Sequence, residues 1–386
     1  MKKFVDISGF GINQSNRGNS ALSYGAVSFL LSRKLINHEQ EFIHFQFYRN
    51  FLNPKRWHIK EEIIEIEGHK WKRLIVPIPF WQGWLCKKMG VIIPFTIFYN
   101  YSKQVAFEAA DYGGDGFSDI YGDRLFYNRL DQTIALRKLN IPLIILPQTI
   151  GPFHNPKNER IAISILKYAE KVFVRDDKYV QILEDENIKY EKSKDLSAYM
   201  NPQKWDIDIK QNPIGLNISG LAYSNRFKGL ENQFDVYPQL IRDIIIKFQE
   251  LGCSIYLIPH SYNITSPELN NDDMVACRSV YTNLENKHNV YFVENNLSSP
   301  QVKYLISKMT FFIGTRMHAN FAAIYTNVPL FGLAYSYKFQ GAFDANGLNG
   351  VKQTALINNI KEEDIEIIIN RILDVYNEFV DNTSIK

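Results

Sequence analysis

The chain has 386 residues, 44 Lys and Arg against 41 Asp and Glu, 45% hydrophobic and 22% charged residues. It is too long for one ordinary core and has the make-up of a soluble globular protein, so two domains are expected. A net charge of +3 excludes a dedicated nucleic-acid binder, which needs a strong basic excess, and Cys86, Cys253 and Cys277 lie too far apart for a metal-ligand spacing or a disulfide framework.

The N-terminus runs straight into a strand-like stretch, Lys3–Ile7, with no apolar h-region, so no signal peptide is expected and the cytoplasm is the default compartment. A Gly/Asn loop follows, then a periodic helix around Ser20–Leu35 and a strand at Glu41–Phe47. Leu74–Ser102 is strongly apolar and aromatic, but Lys87, Lys88, Pro77, Pro79 and Pro94 interrupt it, so it does not span a membrane. Two readings stay open for this segment. It is either irregular domain core or a peripheral membrane contact in which Trp81, Trp84 and Leu85 form an exposed face with Lys87 and Lys88 beside it. Val105–Ala110 reads as a strand running into a Gly113-Gly114-Asp115 turn. Arg124–Leu139 reads as a helix, Pro142–Leu146 as a buried strand, Glu159–Lys171 as a helix, Val172–Val174 as a short strand and Asp177–Glu186 as a helix.

The aperiodic, polar stretch 199–212 reads as a linker, which divides the chain into domains 1–205 and 206–386. A second alternating series follows. Ile214–Ile218, Ser254–Ile258, Val290–Val293, Thr310–Ile313 and, as a last strand, Leu330–Leu333 alternate with helices at Tyr237–Leu251, Asp273–Asn286 and Ser299–Lys308. The closing helix Glu362–Phe379 carries an apolar face of Ile365, Ile368, Ile369, Ile372, Leu373 and Tyr376. Short apolar strands between helices predict parallel sheets covered on both faces. The fold class expected is therefore α/β, with two Rossmann-like doubly wound domains facing across a cleft and ligands bound at the strand ends.

Six features fall at such strand ends. Asn16-Arg17-Gly18-Asn19 opens the first long helix, where Asn19 or Ser20 can simply cap it. Gly9-x-Gly11 lacks the third Gly of a dinucleotide fingerprint. Gly113-Gly114-Asp115 permits close backbone approach to a ligand and places a carboxylate there, while Asp119 reads as a cap. Gln148-Thr149-Ile150-Gly151-Pro152 adds neutral hydrogen-bonding groups. Arg175 suits a carboxylate or phosphate, or equally an ion pair with Asp176, Asp177 or Asp195. His260 follows the strand ending at Ile258, and its spacing to Asp272 and Asp273 matches no zinc site. Gly314-Thr315-Arg316-Met317-His318-Ala319 puts a guanidinium and an imidazole at a helix start, which is a ready anion site. The bland alternative has Arg316 paired with a carboxylate and His318 packed beneath Tyr335; Lys338 supplies a second cation or is a plain surface lysine.

The last block, with Pro329 and Tyr335-Ser336-Tyr337-Lys338, resembles the C-terminal signature of the polysaccharide pyruvyl transferases. Gly113–Asp119, Pro147–Phe153 and Val172–Asp176 resemble further blocks of that family in the same order. Asn19 stands where the family commonly has an acid, which leaves hydrogen bonding but no charge at that position. The resemblance implies the two-domain GT-B glycosyltransferase architecture, with the first domain on the acceptor side, the second on the donor side, and a last helix crossing back to the first. It implies transfer of pyruvate from phosphoenolpyruvate, as co-substrate and with no further cofactor, to a saccharide hydroxyl pair in cell-surface polysaccharide synthesis. The acceptor is free or lipid-linked, the latter placing the enzyme at the inner face of the membrane.

On that reading His318 is the general acid and Arg316 and Asp115 complete the catalytic set. Arg175, Arg316, Lys338 and His260 hold the donor. Asn16, Gly18, Asn19, Gly114, Asp115 and Gln148 meet the acceptor, and no metal is required. Alternatives are a nucleotide-sugar glycosyltransferase, for which no ribose-binding acid stands out, and a non-catalytic saccharide-binding module.

Overall fold

A computed structural model describes residues 3–48, 57–336 and 338–384; Tyr337 of the C-terminal signature lies outside them. The chain forms two compact units, Met1–Gly11 with Leu22–Met200, and Ile12–Ala21 with Asn201–Lys386. The loop after the first strand and the first turn of the first helix thus belong to the second unit, a detail no linker composition announces.

The first unit contains β1 (Phe4–Ser8), most of α1 (Arg17–Ser32), β2 (Glu41–Tyr48), β3 (Lys60–Ile66), β4 (His69–Pro79), α2 (Phe80–Met89), α3 (Ile97–Ser102) and β5 (Val105–Ala110). It continues through α4 (Asp123–Lys138), β6 (Leu143–Gln148), α5 (Pro156–Tyr168), β7 (Lys171–Val174), α6 (Gln181–Asp185) and β8 (Glu191–Lys192). The sheet order is β3-β4-β2-β1-β5-β6-β7-β8. Neighbours run parallel except β3, which pairs antiparallel with β4. Glu67 and Gly68, both with positive φ, make the two-residue turn that such a hairpin prefers. This hairpin was not expected from the sequence. β3 is a charged edge strand that turns only Ile64 and Ile66 inward, so it offers little apolar signal. Similarly, the helix expected over 177–186 contracts to the single turn and a half of α6.

The second unit contains β9 (Pro213–Asn217), α7 (Gly220–Ser224), α8 (Tyr237–Glu250), β10 (Ser254–Leu257), α9 (Asp273–Asn283), β11 (Val290–Phe292) and α10 (Ser299–Ile306). After these come β12 (Phe311–Gly314), α11 (Met317–Ile324), β13 (Leu330–Ala334), α12 (Lys338–Asp344), α13 (Gly350–Gln353), β14 (Thr354–Leu356) and α14 (Glu362–Ser384). Its all-parallel order, β11-β10-β9-β12-β13-β14, is that of a doubly wound nucleotide-binding sheet. β14 rather than β13 ends it; three residues are too few to show a period. α8 buries Tyr237, Leu240, Ile241, Ile244, Ile245 and Phe248 at helical spacing against β9, β10 and β12. The expected apolar face of α14 packs onto the same core, so the closing helix belongs to the second unit and does not join the first.

In both sheets the order reverses at the first strand of the unit. The crevice beyond the strand ends at that reversal is where such sheets bind ligands. It lies between β1 and β5 in the first unit and between β9 and β12 in the second.

Candidate functional site

In the second unit, β12 ends at Gly314, where a side chain would sit 2.2 Å from Asn320 Oδ1. Asn320 in turn donates to the Gly314 carbonyl at 3.0 Å. Thr315 is held by Tyr237 (Oγ1 to the phenol oxygen, 2.8 Å), and the Arg316 N–H donates to Asn217 Oδ1 at the end of β9 (2.8 Å). The turn is therefore fixed on both sides before α11 begins at Met317, and Arg316 is its N-cap residue.

The Arg316 guanidinium is mostly buried and grips Asp273, from Nη2 to Oδ1 at 2.6 Å and from Nε to Oδ1 at 3.0 Å. Nη2 also donates to the Asn271 carbonyl and side-chain oxygens at 2.7 and 2.8 Å. The carboxylate alternative raised for Arg316 is thus realised, and among the described residues Nη1 is the end of the guanidinium that makes no such bond. Burial works against the charge, but Asp273 foremost raises the Arg316 pKa further above its ordinary value. Asp273 has no exposed surface; it also accepts from the N–H groups of Gly220 (2.8 Å), His260 (3.1 Å) and Ser261 (2.9 Å). Its place at the start of α9 ties the ends of β9, β10 and β12 together.

His260 is buried, and burial, then His318, Arg17 and Arg316, hold its imidazole well below the usual histidine range. It is a neutral ring close to the cations. The Asn16–Asn19 loop reaches the same place. Arg17 is buried with its guanidinium stacked on Tyr262 at 4.1 Å. It donates to the carbonyls of Leu297 (2.7 Å), Gln14 (2.7 Å) and Ser15 (3.0 Å) and to Asn296 Oδ1 (2.8 Å). So engaged, it fastens the loop. Gly18 lies under His318, and a Cβ there would meet His318 Nδ1 at 2.6 Å and its own Cβ at 2.9 Å. Two motifs three hundred residues apart in the chain are brought into contact. Asn16 and Asn19 are exposed beside them, with Asn16 Oδ1 accepting from the Gly18 N–H at 2.9 Å. Lys338 is exposed at the start of α12, and half-buried Tyr335 packs on Phe339.

At the reversal point of the first unit, Gly9 is held glycine by both space and conformation and Gly114 by conformation. A Cβ at Gly9 would lie 2.2 Å from the Asp111 carbonyl, one at Gly114 would lie 2.7 Å from Arg175 Nη1, and both have positive φ. Asp111 Oδ1 accepts from the N–H groups of Gly113 (2.9 Å) and Gly114 (3.3 Å); burial nonetheless lifts its carboxyl to about 6. Arg175 donates to Asp195 Oδ2 (2.7 Å) and Thr149 Oγ1 (3.0 Å), with Asp176 at 3.5 Å. Asp115 is half-buried and accepts from the Tyr121 hydroxyl at 2.9 Å. Asp111, Asp115, Asp176 and Asp195 gather here with Arg175 and with Arg129, which donates to the Gly116 carbonyl at 3.1 Å, so carboxylates outnumber guanidiniums at this end of the first sheet.

Gln148 is fully buried, with its amide engaged by the backbone of Ala110, Leu146 and Tyr112, which removes it from any surface a ligand meets. Asp119 does not cap its own helix. It accepts from the N–H groups of Asn155 (2.9 Å) and His154 (3.0 Å), which hold its pKa low against burial, and so fixes the loop before α5. Behind β1 and β5, two more buried carboxyls, Asp6 and Glu108, share Ser8, Thr133 and Gln132 as donors. Burial raises both; Glu108 reaches about 7.

Among the described residues no three His, Cys, Asp or Glu side chains are placed to hold a metal, and no helix is long and apolar enough to cross a membrane. The positioning roles of Asp273, Asn217 and Arg17 were missed in the sequence. Only the adjacency of Asp273 to a cap position hinted at one.

The UDP-GlcNAc 2-epimerases of Neisseria meningitidis and Methanocaldococcus jannaschii are similar in structure. Each is 11% identical; the first covers 98% of this chain and 93% of its own at a TM-score of 0.51, the second 97% and 93% at 0.53. At that identity the likeness establishes the fold alone, two Rossmann-like units of the GT-B kind. The amylovoran biosynthesis protein AmsJ of Erwinia amylovora is 20% identical over 280 residues, which are 69% of this chain and 65% of that relative, so the chain spans just under two thirds of the relative's length. The sequence profile of the polysaccharide pyruvyl transferases matches residues 16–337, beginning at the loop that carries Gly18 and ending in the signature that follows His318, and the chain belongs to the polysaccharide pyruvyl transferase family.

Proposed function

We propose that this enzyme transfers pyruvate from phosphoenolpyruvate to two hydroxyls of a saccharide, forming a cyclic ketal in the synthesis of a cell-surface polysaccharide. The observation that carries the reading is the pairing at the start of α11, where Arg316 is fixed by Asp273 and His318 rests on Gly18. A trianionic donor needs fixed cations and helix N–H groups, and its methylene carbon needs a proton.

His318 donates that proton to the methylene carbon, which becomes the methyl group, and positive charge develops on the carbon bearing the phosphate. A first hydroxyl adds to that carbon and loses its proton. The carbon–oxygen bond to phosphate breaks, and the second hydroxyl adds and loses its proton, closing the ring. Arg316 Nη1 and the first turn of α11 stabilise the departing phosphate and the carboxylate. His260, neutral by burial, keeps the pocket from excess positive charge. Lys338 on α12 is the second cation. In the first unit Asp115, next to Gly114, is assigned the orientation of a saccharide hydroxyl, and in the second unit Asn16 and Asn19 are assigned hydrogen bonds to the acceptor. Arg175 is matched by Asp195 and Asp176, so its part is to hold that acidic loop in place rather than to bind the donor.

The test is phosphate release from phosphoenolpyruvate against a panel of free and lipid-linked saccharides. Release should require an acceptor, and His318→Ala should lower turnover about 10²–10⁴-fold with the fold intact. Release from no acceptor in the panel, or near-normal turnover by folded His318→Ala, would overturn the reading.

A further inference from the structure

We propose that the outward face of α2 and the loop leading into α3 form a docking surface for a lipid bilayer carrying anionic headgroups. Among the described residues 21 large apolar side chains are exposed, and seven of them fall within 17 residues: Trp81, Trp84, Met89, Val91, Ile93, Phe95 and Ile97. Such clustering on a protein surface marks an interaction site. Trp81 and Trp84, 53% and 49% exposed, share one stripe of α2 with Lys88 at i, i+3 and i+7. They have no route into the core. The opposite stripe holds Gly83, where a Cβ would lie 2.4 Å from the Phe47 ring, and buried Cys86, so α2 is seated against β2 and β4. Phe95 is 90% exposed on a residue with φ of +61°, a backbone conformation that disfavours any side chain. An aromatic ring presented to water on strained backbone calls for an apolar phase to enter.

Charge identifies that phase. From Gly68 to Phe107 the chain has six Lys and Arg and no carboxylate; at the overall frequency of 41 acidic residues in 386, such a stretch would hold about four. Lys72, Arg73 and Lys87 are engaged by Glu61, Glu62 and Asp131, so the availability expected of Lys87 passes to Lys88, which is exposed and in no ion pair among the described residues. Trp and Lys on one helix face are the residue types of a helix lying in an anionic interface. A second copy of the chain is a poor occupant. A two-fold contact would bring two copies of Lys88 to one interface with no carboxylate from residues 68–107 to pair them.

The full chain is sedimented with vesicles of phosphatidylglycerol and phosphatidylcholine, and with phosphatidylcholine alone, at low and high salt. The expected result is partitioning onto the anionic vesicles that weakens with salt. Trp81→Ser with Trp84→Ser should lower it about tenfold or more, and Lys88→Glu should lower it on anionic vesicles only. If the double variant fails to fold, Phe95→Ser must show the loss instead, and brominated lipid must quench the parent's tryptophan fluorescence. The proposal is overturned if the parent binds neither vesicle, if the variants bind as well as the parent, or if the parent is a dimer that the tryptophan substitutions dissociate without lipid binding.

Discussion

Asp273→Asn probes the arrangement that fixes Arg316. The substitution removes the carboxylate's charge and leaves a mostly buried guanidinium without its ion-pair partner, at a cost of about 3–5 kcal/mol. It also puts an NH₂ group where one oxygen now accepts. In one orientation that group faces the N–H groups of His260 and Ser261; in the other it faces Gly220 and Arg316. Either donor-to-donor contact adds about 1–3 kcal/mol. The total is a large fraction of the roughly 5–15 kcal/mol that holds a domain folded. Arg316→Met should be milder, because Asp273 keeps its backbone donors, and the double variant should lose less than the two singles combined. Urea melts followed by circular dichroism measure all four proteins. An Asp273→Asn variant within about 1 kcal/mol of the parent would refute the claim that this carboxylate holds Arg316.

Gly18→Ala should behave oppositely to an ordinary helix substitution, which gains about 1 kcal/mol. With the new Cβ 2.6 Å from His318 Nδ1, turnover should fall about 10²-fold and the melting point should not rise. Arg316→Lys should lose activity even though the charge is kept, because an ammonium cannot grip Asp273 from two nitrogens; donor affinity and turnover equal to the parent's would show the fork to be dispensable. Glu108 binds its proton more tightly folded than unfolded, so stability is fully present below the unfolded value near 4.5 and is lost as pH rises toward about 7. Glu108→Gln keeps an oxygen for Ser8 and Thr133 and should be the more stable protein at pH 8, on the order of 1–3 kcal/mol, with the advantage shrinking in acid; an unchanged pH profile in chemical melts would count against a buried, proton-holding Glu108.

Most of the fold was legible because its strands are buried on both faces and read as apolar runs, and because α8 and α14 show their inward stripes at helical spacing. What stayed hidden is short or two-faced. β14 has three residues, and β3 exposes charged side chains along an edge. The excursion of residues 12–21 into the second unit could not be read at all, since the contacts that place it, Arg17 on Tyr262 and the carbonyl of Leu297, are made with residues some 250 to 280 positions away.

The candidate site divides the same way. A strand, a glycine and a helix start are local features, so the position of Arg316 and His318 at the mouth of the second sheet follows from sequence. Whether a guanidinium there faces a ligand or a carboxylate depends on what the other strands bring, and sequence cannot set that balance. At Arg316 one buried carboxylate fixes one side and, among the described residues, Nη1 is left over; at Arg175 Asp195 and Asp176 engage it directly, with Asp111 and Asp115 close by, and the charge is outnumbered. Two arginines with the same strand-end signature therefore differ in their partners, one carboxylate engaging Arg316 and two engaging Arg175.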